Sequence, residues 1–118
     1  GEIATMDSEH YVFIKDRAKD MIISGGENIY SVQVEEAICK HPAVLETAVI
    51  GIPDDEWGES VKAYVVLKPD TKATEQEIID EAKKNLASYQ KPKFVEFIDE
   101  LPKAPTGKIL KRILREQN

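Results

Sequence analysis

Little in this chain could hold a metal or a disulfide. Its 118 residues include a single cysteine, Cys39, and two histidines, His10 and His41. One cysteine excludes an internal disulfide and a cysteine zinc site, and two histidines add too few ligands for a catalytic metal centre. No apolar run approaches the roughly 20 residues that span a bilayer, and no signal-peptide pattern opens the chain, so the expected setting is cytoplasmic. Internal repeats and low-complexity tracts are absent. Positive charge is outnumbered: 16 Lys and Arg stand against 22 Asp and Glu, for a net charge of −6. That balance argues against a general nucleic-acid binder. There is no initiating methionine either. Gly1-Glu2-Ile3-Ala4-Thr5 reads as mid-chain, which makes the segment a fragment of something larger by expectation.

What remains is the make-up of one soluble domain. Apolar residues form 42% and charged residues 32% of the chain, and the length allows one real core but hardly two. Residues 10–15 and Lys19 to Ile23 are short β-type runs, read as a hairpin or two neighbouring strands ending at Gly25-Gly26. Ser31 is positioned to cap a helix from Val32 to about Lys40. Its apolar face would be Val34, Ala37 and Ile38, with Glu35 and Glu36 near the positive end and Pro42 as the stop. Val44 to Ile52 and Val61 to Leu67 have the near-continuous apolar character of strands buried on both faces, joined by a polar loop from Pro53 to Ser60. Thr74-Glu75-Gln76-Glu77 is a capping box opening a helix with Ile78, Ile79, Ala82 and Leu86 on one side. Phe94 to Ile98 is a third core strand, and Ile109, Leu110, Ile113 and Leu114 make the stripe of a last helix. The expected fold is α+β: a small three-stranded sheet flanked by helices, preceded by an N-terminal β-hairpin.

Several residues could carry chemistry. Lys108 ends Leu101-Pro102-Lys103-Ala104-Pro105-Thr106-Gly107-Lys108, where prolines stiffen the loop and Gly107 permits a tight turn, presenting one ammonium at a fixed place. Such a group suits a carboxylate or a phosphate. The bland alternative is a solvated lysine on the basic face it shares with Lys111, Arg112 and Arg115. A Walker phosphate loop is excluded, since Pro102 stands where its first Gly belongs and Ile109 where Ser or Thr should follow the Lys. Gly25-Gly26 is either a plain hairpin turn or a backbone stripped of Cβ so that a narrow ligand can pass. Arg17 and Lys19 are charged residues in a turn. Tyr89-Gln90-Lys91-Pro92-Lys93 places two cations around a stiff proline beside an aromatic ring, or is simply a solvated loop before a strand. Trp57, among acids in Asp54-Asp55-Glu56-Trp57-Gly58-Glu59, reads by itself as a lid over the local core.

Taken together, Asp16-Arg17-Ala18-Lys19-Asp20-Met21-Ile22-Ile23-Ser24-Gly25-Gly26-Glu27-Asn28 and the Pro105-Thr106-Gly107-Lys108 segment resemble the small C-terminal domain of adenylate-forming enzymes, the family of acyl-CoA synthetases, adenylation domains and luciferases. The resemblance runs the length of the chain, with the motif-like segments in the family's order. It implies a single domain over residues 1–118, with 1–26 as a hinge-proximal hairpin region and 27–118 as an α/β sandwich, working with its own N-terminal domain. That larger domain holds the ATP and carboxylate sites, so the fragment alone would be inactive. The implied reaction uses ATP, with Mg2+, to turn a carboxylic acid into an acyl-adenylate, which then passes to CoA. The wording around Met21 to Ile29 is most similar to fatty-acid–CoA ligases. Aryl-CoA ligases and adenylation domains serving a carrier-protein thiol are the alternatives. Peripheral membrane association of a parent enzyme stays open.

Site roles follow from the same resemblance. Lys108 would be the catalytic lysine, contacting the substrate carboxylate and the α-phosphate. Lys19 would be the hinge, and Arg17 an adenylate contact. Glu2 stands where the family usually has an Asp on the ribose hydroxyls. Gly25, Gly26 and Glu27 would wall the tunnel for the pantetheine arm of CoA, with Trp57 packing against it, and Tyr89, Lys91 and Lys93 would hold its nucleotide end. No metal ligand is implied in this domain. The chain departs from the family at Glu2, at Ser31 where Pro is usual, and at Gln33 where Glu is usual.

Overall fold

The computed structural model describes residues 20–118. The elements are β1 (Met21–Ser24), β2 (Glu27–Tyr30), α1 (Ser31–Ile38), β3 (Val44–Asp54), β4 (Gly58–Leu67), α2 (Glu75–Asn85), a 3₁₀ turn at Ser88–Gln90, β5 (Phe94–Phe97) and α3 (Lys111–Glu116). β3, β4 and β5 form one sheet in that order, and β1 with β2 forms a separate hairpin. β3 and β4 run antiparallel with Val49 opposite Ala63. β5 lies parallel to β4, a pairing that needs the crossover supplied by α2.

Strand alternation divides the sheet between two cores. Val49, Val61, Ala63 and Val65 pack with Ile22 and Ile29 of the hairpin, Val34 and Ile38 of α1, and Ile78 and Ala82 of α2. Ala48, Ile50, Tyr64 and Val66 point the other way, under Leu101 and Leu114. Both faces are therefore dry, which is why the two long strands read as almost unbroken apolar runs. The fold is the α+β arrangement expected from the sequence.

Some boundaries differ from expectation, each for a physical reason. β1 pairs with β2, Met21 opposite Tyr30 and Ser24 opposite Glu27. Gly25-Gly26 therefore joins two strands rather than ending the hairpin, and residues 10–15 lie outside the described residues. Both glycines have positive φ, 58° and 81°, the backbone that a two-residue type I′ turn requires. The polar loop from Pro53 to Ser60 is mostly strand: Pro53 pairs with Glu59 and Asp54 with Gly58, leaving a tight turn at 55–57. Pro53 is tolerated because β3 is an edge strand.

Helix ends shift as well. Ser31 does not cap α1. It is the first helical residue, and its hydroxyl donates to the Asp20 carbonyl (3.1 Å) and carboxylate (2.9 Å) instead. α1 stops at Ile38, short of Lys40. The capping box of α2 is formed: the Thr74 hydroxyl accepts from the Glu77 N–H at 3.1 Å, and the Glu77 carboxylate accepts from the Thr74 N–H at 2.8 Å. α3 begins at Lys111, so Ile109 and Leu110 precede it. Ile109 instead forms a β-bridge with Lys103, closing the turn that carries Lys108.

Candidate functional site

At the Asp54 end of the β3–β4 hairpin, Gly25 and Trp57 meet. The Gly25 N–H donates to the Trp57 carbonyl at 2.8 Å. A Cβ built on Gly25 would lie 2.6 Å from Cε3 of the indole, so the ring occupies the space a side chain would need. Nothing approaches the corresponding position of Gly26 within 4 Å. Trp57 is 48% exposed, so it covers the diglycine turn and leaves one side of its ring to solvent rather than sealing a core. A second tie holds the two hairpins together, for the Ile23 N–H donates to Glu59 Oε1 at 2.9 Å. Glu27 follows the turn and is exposed.

Asp54 organises this tip. Its Oδ1 accepts from the N–H groups of Glu56 (2.8 Å) and Trp57 (3.0 Å), an Asx-type turn that fixes where the indole starts. Its Oδ2 takes a short hydrogen bond from the Ser60 hydroxyl and an ion pair from Lys93 Nζ at 3.4 Å. The Ser60 hydroxyl, followed by the backbone N–H groups and Lys93, holds the Asp54 carboxyl well below the usual carboxylate range. Lys93 Nζ also lies 5.6 Å from the centre of the Phe94 ring.

Lys93 is set by a buried proline. Pro92 is fully buried, while Lys91 and Lys93 on either side are exposed, and the Lys93 N–H donates to Val61 O at 2.9 Å. Tyr89, 47% exposed, stands on the preceding 3₁₀ turn. Gln90 anchors that turn by accepting from the Ala87 N–H (2.9 Å) and donating to Gln33 Oε1 (3.0 Å). Two of the expected CoA-binding residues, Trp57 and Lys93, are thus joined through one carboxylate. Tyr89 and Lys91 share their segment without a hydrogen bond into the Asp54 cluster.

Lys108 lies elsewhere. Its turn is closed by the Lys103–Ile109 bridge, by Gly107 N–H to Ala104 O (2.8 Å) and by Ala104 N–H to Lys108 O (2.8 Å). Gly107 has φ 91° and Lys108 is exposed. Lys103 Nζ pairs with Glu46 Oε1 at 2.7 Å, which seats the base of this turn near the start of β3. Glu46 and Asp54 are eight positions apart on one strand, about 26 Å at roughly 3.3 Å per residue. The two candidate regions occupy opposite ends of the same hairpin.

The model of the AMP-binding enzyme C-terminal domain family matches residues 33–108, well over half of the chain. The chain belongs to that family. Over 117 residues it is 50% identical to the long-chain-fatty-acid–CoA ligase FadD13 of Mycobacterium tuberculosis, covering 99% of this chain and 23% of the relative. A peroxisomal trans-cinnamate:CoA ligase of Petunia hybrida is 48% identical over 116 residues, 98% of this chain and 20% of the relative. Among solved structures, apo MatB from Rhodopseudomonas palustris superposes with a TM-score of 0.81 at 40% identity, over 86% of this chain and 20% of that one. The chain therefore spans about a fifth of the length of the relatives it matches.

Within the family frame, Glu2, Arg17 and Lys19 fall outside the described residues. Among the described residues no cluster of three His, Cys, Asp or Glu side chains could hold a metal ion, and no helix is long and apolar enough to cross a membrane. Sequence reasoning missed Asp54 and Glu59, both read as loop acids. It also missed a polar cluster between α1 and α3. Lys111 Nζ lies 2.5 Å from Asp20 Oδ2, 2.9 Å from Glu35 Oε2 and 3.1 Å from the Ser31 hydroxyl. Arg115 reaches the other Asp20 oxygen at 2.8 Å. Burial pushes the Asp20 carboxyl up, but Lys111, Ser31 and Arg115 together outweigh it and leave the group below its ordinary value. One signal could have exposed Glu35. It falls at helical spacing between Ser31 and Ile38, on the face that Val34 and Ala37 bury.

Proposed function

We propose that this domain is the mobile C-terminal part of an ATP-dependent, AMP-forming fatty-acid–CoA ligase. The observation that carries the reading is the separation of two exposed features, the Lys108 turn and the Gly25–Trp57 tip, at opposite ends of one rigid hairpin. A domain built this way can offer one end to a shared active site and then the other. In the first step the carboxylate oxygen of the acid attacks the α-phosphorus of ATP, forming acyl-AMP and releasing pyrophosphate. Two anions approach there, and the Lys108 ammonium offsets their repulsion. Mg2+ would arrive with the ATP and be held mainly by the N-terminal domain, while Arg17 and Glu2 would contact the adenylate.

Rotation about Lys19 then exchanges the two ends. Gly25, Gly26 and Glu27 line the path of the pantetheine arm, with the exposed side of Trp57 against it, while Tyr89, Lys91 and Lys93 take the nucleotide end of CoA. The CoA thiolate attacks the acyl carbon, and AMP leaves. The fatty-acid–CoA ligase of M. tuberculosis supports a fatty substrate. The trans-cinnamate ligase, nearly as similar, supports an aryl acid as the second reading.

The test is a half-reaction split in the full-length ligase. Lys108→Ala should reduce acyl-adenylate formation by about 100-fold or more, in line with the loss of a preorganised charge, and leave thioester formation from supplied acyl-adenylate near wild type. Equal losses in the two halves would remove the division of labour. Offering CoA and a carrier protein as competing acceptors decides between the two thiols.

A further inference from the structure

The Asp20–Lys111 cluster has no part in the chemistry proposed above, yet it joins two sequence positions on which that chemistry depends. Asp20 follows the proposed pivot, Lys19, by one residue. Lys111 follows Lys108 by three. All three ammonium protons of Lys111 have an oxygen within reach, from Asp20, Glu35 and Ser31. Glu35 is itself tied to the sheet, since its Oε2 accepts from the Val49 N–H at 2.9 Å. Ser31 donates both its N–H and its hydroxyl to the Asp20 carbonyl, each at 3.1 Å. One lysine thus bonds the start of β1, the first two turns of α1 and, through Glu35, the middle of β3.

The Lys108 turn has other anchors, all of them on the β3–β4 sheet: Lys103 Nζ pairs with Glu46 Oε1 at 2.7 Å, and Leu101 and Leu114 are buried with Ala48, Ile50, Tyr64 and Val66. α3 is six residues long, with Leu114 its one fully buried side chain, and the turn closes on the Lys103–Ile109 bridge and two backbone hydrogen bonds. None of these ties reaches Asp20, which Lys111 and Arg115 join to this segment. A charged group with three fixed oxygen partners defines position and direction far more sharply than a sliding apolar contact does.

We propose that Lys111 and Asp20 are positioning residues for adenylation: their ion pair locks the Lys108 turn to the chain leaving the pivot, so rotation at residue 19 carries Lys108 as part of one rigid body. This inference rests on the reading of Lys108 given above. It makes no claim that either residue touches substrate.

The experiment uses the full-length ligase and measures both half-reactions in Lys111→Met, Lys111→Arg and Asp20→Asn, with Lys108→Ala as the reference. Misplacing a reacting group by about an ångström costs up to roughly 100-fold, so Lys111→Met should slow adenylation by about 10- to 100-fold. Its KM for ATP and its thioester half-reaction should stay within about twofold of wild type. Lys111→Arg should recover part of the rate, and Asp20→Asn should show the same selective loss to a smaller degree. Equal loss of both half-reactions in Lys111→Met is fold damage and overturns the inference. So does an unchanged adenylation rate in Asp20→Asn, a variant of the same shape. If Lys108→Ala itself leaves adenylation intact, the reading of Lys108 fails instead, and that outcome is distinguishable from the other two.

Discussion

The N–H of Gly25 and the carbonyl of Trp57 are joined by a 2.8 Å hydrogen bond, and the Trp57 indole fills the space where a side chain at position 25 would begin. One residue sets the turn and the other roofs it. With the Ile23–Glu59 hydrogen bond and the shared core, their contact joins the two hairpins into a single surface.

Adjacent glycines should therefore respond differently to the same change. Gly25→Ala meets a left-handed backbone and the ring 2.6 Å away, so the indole must move. Gly26→Ala meets only the backbone strain, about 1–2 kcal/mol. Trp57 is the chain's one tryptophan, so its fluorescence reports the difference directly. An emission shift in Gly25→Ala and none in Gly26→Ala is expected. Identical spectra for both variants would contradict the contact.

Acid should destabilise the fold through Asp54 and Asp20. Both carboxyls lie below the ordinary 3.8 in the folded chain, so the unfolded chain binds more protons as pH falls through that range. Stability present above about pH 5 is then lost progressively below about pH 4. Urea midpoints across this range should fall on acidification, and Asp54→Asn should flatten part of the slope. A midpoint that rises on acidification would show the opposite linkage.

Thr74→Ala removes the hydroxyl that accepts from the Glu77 N–H. The expected cost is about 1 kcal/mol. Because Ile78 and Ala82 carry α2 into the core, the loss should appear in global unfolding and not merely as fraying. An unchanged urea midpoint would mean that the cap is dispensable.

Lys93 and Tyr89 should matter to CoA and not to ATP. In the full-length ligase, Lys93→Ala should raise the KM for CoA by roughly tenfold, equivalent to 1.4 kcal/mol. Added salt should shrink that difference, because Lys93 is half-exposed. Tyr89→Ala should cost about 1–3 kcal/mol of CoA binding if the ring stacks on the base. A matching rise in the KM for ATP would redirect both residues to the first half-reaction.

Much of the fold is legible in the sequence because its signals are local. The capping box lies within four residues, and the two long strands declare themselves by apolar runs covered on both sides. The errors come from partners distant in sequence. Ser31 has every local mark of a cap, but Asp20, eleven residues earlier, claims its hydroxyl. The segment Glu27 to Tyr30 buries only Ile29, too little apolar character to be read as the mate of β1. Of the candidate site, the sequence names Gly25, Trp57 and Lys93 separately. It does not reveal Asp54 as the group joining two of them, since a carboxylate that accepts from its own turn looks like any loop acid. Lys111 was read as one charge among several on a basic helix, because its acidic partners lie more than seventy residues upstream.

Glu35 has one more effect. β3 borders the sheet, and an uncovered border strand invites a foreign strand to add on. The Glu35 carboxylate takes the Val49 N–H in the middle of that border. With its proton already held at 2.9 Å, that amide is not free to pair with a strand from a neighbouring molecule.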